Sequence, residues 1–227
     1  MKNKILIILL LSCVLLSGLY AQKEVVIKLK EGVSQIPIAI PRFAVSDAQA
    51  NHVAIRDEIH RTVWNDLRYS RVFQLIPLEH YSYIQKFDEN NINFKDWISI
   101  KANILITGKV EVSDGNRIVF SIKVYDCNSG KYVFGRNFGG KEEFKRLIAH
   151  RASDVIMEYF GEKSYFTTKI TFVSTRNGSK EIYIMDYDGK RQKRITFNDY
   201  IDILPNWSRD NEKILYTSYR KNDPDLY

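Results

Sequence analysis

Near its C-terminal end the chain repeats itself. Lys169-Ile170-Thr171-Phe172-Val173-Ser174 leads to Glu181-Ile182-Tyr183, and 44 positions further on Lys213-Ile214-Leu215-Tyr216-Thr217-Ser218 leads to Asp225-Leu226-Tyr227. Lysine, isoleucine, an aromatic, serine and a closing aliphatic-tyrosine pair return in register, without a gap. Self-similarity at a period of about 40–45 residues, filled with short alternating strands, is the mark of propeller blades. One repeat holds the strands of a blade at 170–174, 181–186 and 192–196, followed by an irregular link. The second repeat reaches only into its second strand. An architecture of about four to eight blades is thus represented by little more than one, and the chain reads as part of a longer protein.

The opposite end carries a different signal. Lys2 and Lys4 precede an apolar stretch over 5–16, and Leu19-Tyr20-Ala21 ends in a small residue. That order is an export signal with cleavage between Ala21 and Gln22. The apolar stretch is interrupted by Ser12, Cys13, Ser17 and Gly18, too soon for a membrane span. Leu10-Leu11-Ser12-Cys13 has the outline of a lipidation box, but further apolar residues follow Cys13 where a cleaved lipoprotein would begin. With the signal removed, Cys127 is the one cysteine left, so no internal disulfide can form.

Residues 22–163 read as one α/β domain. β-branched runs at 24–29 and 35–40 flank a turn at Glu31-Gly32, and Pro41 ends the second run. Ser46-x-x-Gln49 has the spacing of a capping box, and Ile55, Ile59, Val63 and Leu67 form a helical stripe behind it. A short strand is expected at 72–76, irregular helix beyond Pro77, and one or two helical turns within 91–101. A meander follows over 104–113, 118–125 and 131–138, turning at Asp114-Gly115 and Asn128–Gly130. Ile118, Phe120, Ile122 and Val124 alternate, which turns one face of that sheet to the core. The last helix has Glu142 and Glu143 in its first turn, suited to the macrodipole. Its stripe is Phe144, Leu147, Ile148, Ala152, Val155, Ile156 and Tyr159, and Gly161 suits its left-handed end. The fold class is therefore α+β: a sandwich-like domain of mixed sheet and packed helices, then an all-β propeller beginning in 164–227. The first unit can close a core alone. A lone blade would present its inner face and both edges to water.

Catalytic chemistry finds no support. His52, His60, His80 and His150 form no H-E-x-x-H pair, and the spacing of His52 and His60 does not suit a metal shared on one helix. There is no G-x-S-x-G elbow and no glycine-rich phosphate loop. Asp186-x-Asp188-Gly189 lacks the other ligands and the closing glutamate of a calcium loop and reads as a hairpin turn. No cofactor and no metal are expected. Net charge is +7, but the one tight basic cluster, Lys190, Arg191, Lys193 and Arg194, has no interleaved aromatics for nucleic acid. It reads as a solvated blade edge whose charges discourage edge-to-edge pairing. Cys127, beside a turn, reads as a strand-end residue.

Several of these stretches resemble one family. Ile182-Tyr183-Ile184-Met185-Asp186-Tyr187-Asp188-Gly189, followed by Arg194-Ile195-Thr196, is similar to the repeating blade sequence of the TolB family. Pro205-Asn206-Trp207-Ser208-Arg209-Asp210-Asn211 resembles that family's P-x-W-S-P-D-G turn, with Arg209 in place of proline and Asn211 in place of glycine. The junction is more specific: His150-Arg151-Ala152-Ser153-Asp154, then Gly161, then Phe166-x-Thr168-Lys169-Ile170. The resemblance implies a non-enzymatic periplasmic binding protein of the Tol–Pal envelope system, with an α/β domain and a six-bladed propeller. It implies two partners, the peptidoglycan-associated lipoprotein Pal at the propeller and the inner-membrane protein TolA at the first strand. Outer-membrane integrity and division would depend on that link, and contact with the membrane would be through partners alone. The stretch that matches the TolA-binding strand here is Gln22, Lys23, Glu24, Val25, Val26, Ile27, Lys28 and Leu29, with Lys28 departing from a more acidic position. Other readings are an exported propeller fragment of a peptidase, or of another envelope complex. A G-x-S-x-G region further along the reading frame would mark the peptidase; some four more blades and a stop would mark the TolB family.

The export reading has a direct check. Intact mass of the exported protein should place its N-terminus at Gln22, whereas a lipidated Cys13 or a retained Met1 would overturn it.

Overall fold

The computed structural model describes residues 35–84, 87–89, 91–113 and 115–227, beginning with a mixed sheet. β1 (Ile36–Ala39) lies between two parallel neighbours, β3 (Phe73–Leu75) and β4 (Ile104–Ser113). A two-residue strand, β2 (Ala44–Val45), also pairs parallel to β4, further along it. From β4 the chain runs as an antiparallel meander through β5 (Arg117–Asp126) and β6 (Lys131–Lys141), giving the order β3-β1-β4-β5-β6. The parallel half requires a crossover, and α1 (Ala50–Tyr69) provides it between β2 and β3. The runs expected at 24–29 and the turn at Glu31-Gly32 lie outside the described residues, as does Asp114 of the first meander turn.

The alternation read from β5 holds: Ile118, Phe120, Ile122 and Val124 are all buried on the face that meets the helices. Ile106 and Val110 of β4 join them, and Ile55, Ile59, Val63 and Leu67 of α1 pack down from above. α1 covers the parallel strands, while α3 (Lys145–Tyr159) covers β5 and β6. Gly108 permits the close packing beneath α1. A Cβ there would meet the Phe43 ring at 2.7 Å and the Phe120 ring at 2.8 Å. The two rings use that space and approach each other to 5.1 Å between centroids. The opposite face of the sheet carries a smaller core, in which α2 (Phe94–Ser99) and the 3-10 turn Leu78–Tyr83 bury Trp97, Ile100 and Cys127 against Leu105. Burial, and then the charge of Asp126, pushes the Cys127 thiol up to about 12, which fits an inert strand-end residue.

Three local expectations need correction. Ser46 does not cap α1: its N–H donates to the Val110 carbonyl at 3.1 Å and so prolongs the β2–β4 pairing. The residue before the helix is Gln49, held by Asp47, whose carboxylate accepts from the Gln49 backbone and side chain. Glu142 and Glu143 form a 3-10 turn ahead of α3 rather than its first turn. The α3 stripe is also narrower than its apolar residues: Ile148, Ala152 and Ile156 are buried, but Phe144 is 40% and Tyr159 51% exposed. The end of α3 follows expectation. Gly161 has φ +77°, its N–H donates to Glu158, and the N–H of Glu162 donates back to Met157. Those two bonds are the Schellman ending that a left-handed glycine makes possible.

The repeat region forms two three-stranded antiparallel sheets. The first comprises β7 (Lys169–Ser174), β8 (Glu181–Asp186) and β9 (Lys193–Arg194), the second β10 (Asp202–Trp207), β11 (Ile214–Ser218) and β12 (Asp225–Leu226). These are the opening strands of a propeller. The link between repeats is not irregular throughout, because β10 lies within it and becomes the first strand of the second sheet.

His60 makes acid stability readable. It lies on α1 against Phe43 and Trp64, with its Nδ1 buried and unpartnered. Burial lowers its pKa to about 4, with Asp57 opposing and Arg56 and Arg42 reinforcing the shift. Between its ordinary value of 6.5 and about 4, the unfolded chain binds a proton that the folded chain refuses. The contribution of His60 to stability is therefore full above pH 6.5 and is lost as pH drops through that window, by about 3 kcal/mol. Urea unfolding at stepped pH should show this loss, and His60→Leu should flatten it.

Candidate functional site

Where the α/β domain meets the first blade, polar side chains are buried together. α1 contributes Asp66, α3 contributes Arg146 and His150, and the β8–β9 turn contributes Tyr187 and Asp188. Asp66 and His150 are 1% and 2% exposed. Oδ2 of Asp66 lies 2.8 Å from Nδ1 of His150, and Oδ1 accepts the Tyr187 hydroxyl. Each carboxylate oxygen thus has a donor, as a buried carboxylate requires. Arg146 sits 3.4 Å from Nε2 of His150, pairs with Asp188, and donates to Thr62 on α1. A guanidinium only donates, so Nε2 is the accepting nitrogen and the ring proton lies on Nδ1, toward Asp66. Burial, and then the bond to Asp66, pushes the Tyr187 phenol far above its ordinary range, which keeps it a donor. The Tyr187 ring also packs edge-on against His150 and lies beside Phe166.

A second set of bonds fixes the chain that joins the two parts. Asp154 of α3 accepts the N–H groups of Phe166 and Thr167 and the Thr167 hydroxyl, at 2.8, 3.2 and 2.7 Å. Phe166, fully buried, anchors the segment beneath these bonds. The junction motif read from the sequence is this device: the aspartate receives the linker, Gly161 turns it, and Phe166 secures it.

The blade itself is built on buried Glu181. Its carboxylate accepts from Arg194 at 2.5 Å, Thr196 at 2.6 Å and the Asn198 N–H at 3.0 Å. Burial alone would raise its pKa; the bonds from Thr196 and Arg194 outweigh this and hold it below the ordinary carboxylate value. Asn198 then reaches Asp202 at 2.8 Å, at the start of β10. The Arg194-Ile195-Thr196 motif is thereby explained, and one expectation is corrected. Arg194 is no solvated edge residue; it turns inward to Glu181. The Trp207-Ser208-Arg209-Asp210-Asn211 turn closes with Ser208 bonded to Asp210 and Lys213, and Asn211 takes φ +59° where the family pattern has glycine.

As a place for chemistry this arrangement is already filled. His150, Asp186 and Asp188 bring ligand atoms within 4.8 Å of one another. However, the Arg146 guanidinium bonds to Asp188 and faces His150, while Asp186 takes Lys169 at 3.0 Å. The Asp186–Gly189 stretch is the turn expected, closed by Gly189 N–H to Asp186 at 2.9 Å. A cleft of about 1030 Å³ opens on the outer sheet face near Arg42, Lys109 and Lys123. Those three cations are paired with Asp57, Glu111 and Glu89 at 2.6, 2.6 and 2.8 Å. The expected partner strand, Gln22 to Leu29, and the cleavage site at Ala21 and Gln22 lie outside the described residues. Sequence reading missed Asp66 and Tyr187, yet Asp66 stands on the buried side of α1 between Val63 and Leu67. A carboxylate inside an apolar stripe is the signal that announces such a cluster.

Removing one donor tests whether the cluster couples the parts. Tyr187→Phe leaves an Asp66 oxygen buried without a partner, a cost of about 1–3 kcal/mol. Amide exchange should quicken across β7–β9 and stay unchanged in β4–β6. An unaltered blade would show that the hydroxyl holds nothing across the joint.

Comparison with known proteins gives two family matches along the chain. Residues 24–133 match the family model described as the TolB amino-terminal domain, and residues 157–227 the one described as the TolB beta propeller domain. A Tol-Pal system protein TolB from Desulfosudis oleivorans is 32% identical over all of this chain and 52% of its own length. Another, from Cereibacter sphaeroides, is 34% identical over 88% of this chain and 46% of its own. The chain thus spans about half the length of these curated relatives. The crystal structure of TolB from Acinetobacter baumannii shares the fold, with a TM-score of 0.69 at 20% identity, over 85% of this chain and 46% of that one. With both family models matched in order, and a relative 32% identical along the whole of this chain, the chain belongs to the TolB family.

Proposed function

We propose that this protein is a non-enzymatic binding component of the Tol–Pal envelope system, exported to the periplasm. In this reading residues 22–29 pair as a strand with a TolA-like inner-membrane protein. The propeller, completed beyond the strands present here, engages a Pal-like peptidoglycan-associated lipoprotein. Membership of the TolB family supports the system, and its curated relatives carry the name Tol-Pal system protein TolB. Among the described residues no helix is long and apolar enough to cross a membrane.

The observation that carries the strand reading concerns β1. Residues 24–29 followed by a Glu31-Gly32 turn would ordinarily fold back on the next strand as a hairpin. β1 has no edge to offer, since β3 and β4 occupy both of its sides. A chain end rich in Val25, Val26, Ile27 and Leu29, with no hairpin place on its neighbour, suits strand addition to another protein's sheet.

Deleting residues 22–28 tests the proposal. The melting temperature should stay within about 4–8 °C of the parent, the shift that about 1 kcal/mol produces in a small domain. Capture of TolA in a pull-down should disappear. Unfolding of the domain, or undiminished capture, would make the segment structural and place the partner surface elsewhere.

A further inference from the structure

β6 ends the sheet with a long open edge. It runs for 11 residues, and among the described residues it pairs with β5 alone, which leaves its outer backbone groups without a described strand beside them. Such an edge is a template for another strand, and here the helix above it is already wide enough to cover one. The flank of α3 turned away from α1 carries Leu147 and Val155, only half-buried, and beside them Phe144, 40% exposed. A groove of about 550 Å³ lies between this flank and β6, with Phe138, Leu147 and Val155 as its apolar lining and Arg136, Arg151 and Glu158 around it. A strand added to β6 would lie about 4.7–4.9 Å further out, under the half-buried Leu147 and Val155.

The charge along the edge selects the occupant. Arg136, Lys141 and Arg151 are exposed and make no ion pair among the described residues. Lys141 stands directly opposite Arg117 in the β5–β6 register, two like charges face to face, an arrangement that is unfavourable until an anion joins it. Of the carboxylates nearby, Asp154 is spent on the linker, Glu158 accepts from Ser164, Glu142 pairs with Lys145, and Glu143 lies in the turn beyond the end of β6. Cations on an edge strand repel a second copy of the same edge; they attract an acidic strand for the same reason. We propose that the β6 edge and the overhanging flank of α3 receive an extended, acidic segment of a partner protein by strand addition. Its backbone would pair with β6; on the side turned to α3 an apolar side chain would enter the Phe138–Leu147–Val155 groove and a carboxylate would meet Arg136 and Arg151, while on the opposite side, where the register puts the Lys141 side chain, a second carboxylate would meet Lys141. This surface is independent of the partner proposed for residues 22–29.

An acetylated, amidated nonapeptide that repeats Val-Val-Glu-Glu, and so carries both residue types on each face of a strand, serves as the probe, titrated into the isotope-labelled chain. Alternate amides of β6 should shift and exchange more slowly, while the β3 edge stays unchanged. The lysine–valine counterpart should not bind, nor should the acidic peptide methylated on alternate backbone nitrogens. The pair Arg136→Glu and Lys141→Glu should weaken acidic-peptide binding about tenfold, as two attractions become repulsions. Both side chains are exposed and Lys141→Glu places a carboxylate opposite Arg117, so the melting temperature should hold. The lysine peptide tests the same preference without any substitution. The proposal fails if no β6 amide responds, if both peptides bind alike, or if methylation leaves binding intact. It also fails if β6 protection rises with protein concentration alone, which would make a second copy the occupant.

Discussion

Asp66 is the side chain on which the joining of the two parts depends. A carboxylate 1% exposed is tolerable only while every acceptor position is met, and its two donors come from different places. His150 is on α3, within the same domain, while Tyr187 belongs to the turn of the first blade. The blade is thus required by the domain as much as the domain by the blade. An apolar joint would tolerate sliding, because burial is indifferent to direction. A carboxylate with one donor from each part is satisfied in one relative position only, and the Asp154–linker bonds repeat that demand at a second point.

Much of the fold was legible because periodicity and burial coincide. The four-residue steps of α1 and the alternation of β5 predict residues that are buried to within about a percent of complete. The turn residues Gly161 and Asn211 also behave as their chemistry requires. What escaped was of two kinds. Ser46 has the spacing of a cap, but local spacing carries no knowledge of the Val110 carbonyl that claims its N–H from a strand some sixty residues away. Arg194 looks like one more surface cation among its neighbours, and only the fold brings it to Glu181. Pairings of charge have no period, so a single sequence shows the members and conceals the match. Asp66 is the exception that composition alone flags, since it interrupts a stripe that is otherwise apolar.

The sheet divides its two faces and its edges between different tasks. The helix-facing side holds the main core, and the opposite side is half covered by Trp97 and its neighbours and half open. Internal edges are consumed: β1 is enclosed, and β2 occupies the part of β4 that lies beyond β1. Among the described residues the free strand edges are therefore those of β3 and β6 at the two ends of the sheet, with the outer side of the two-residue β2.

The separation between Asp66 and Tyr187 in the chain, 121 positions, bears on how the protein comes to be folded. Loop closure over such a distance is entropically costly, and contacts of this range form late. Synthesis from the N-terminal end delivers Asp66 before Tyr187, and export in the same direction, as proposed above, would do so again. The helices can pair and the sheet can assemble in that interval, with the carboxylate still served by water. The first blade then arrives at a surface whose acceptor is already in place, and its docking expels that water. On this order of contacts, assembly would run outward from the α/β domain to the first blade.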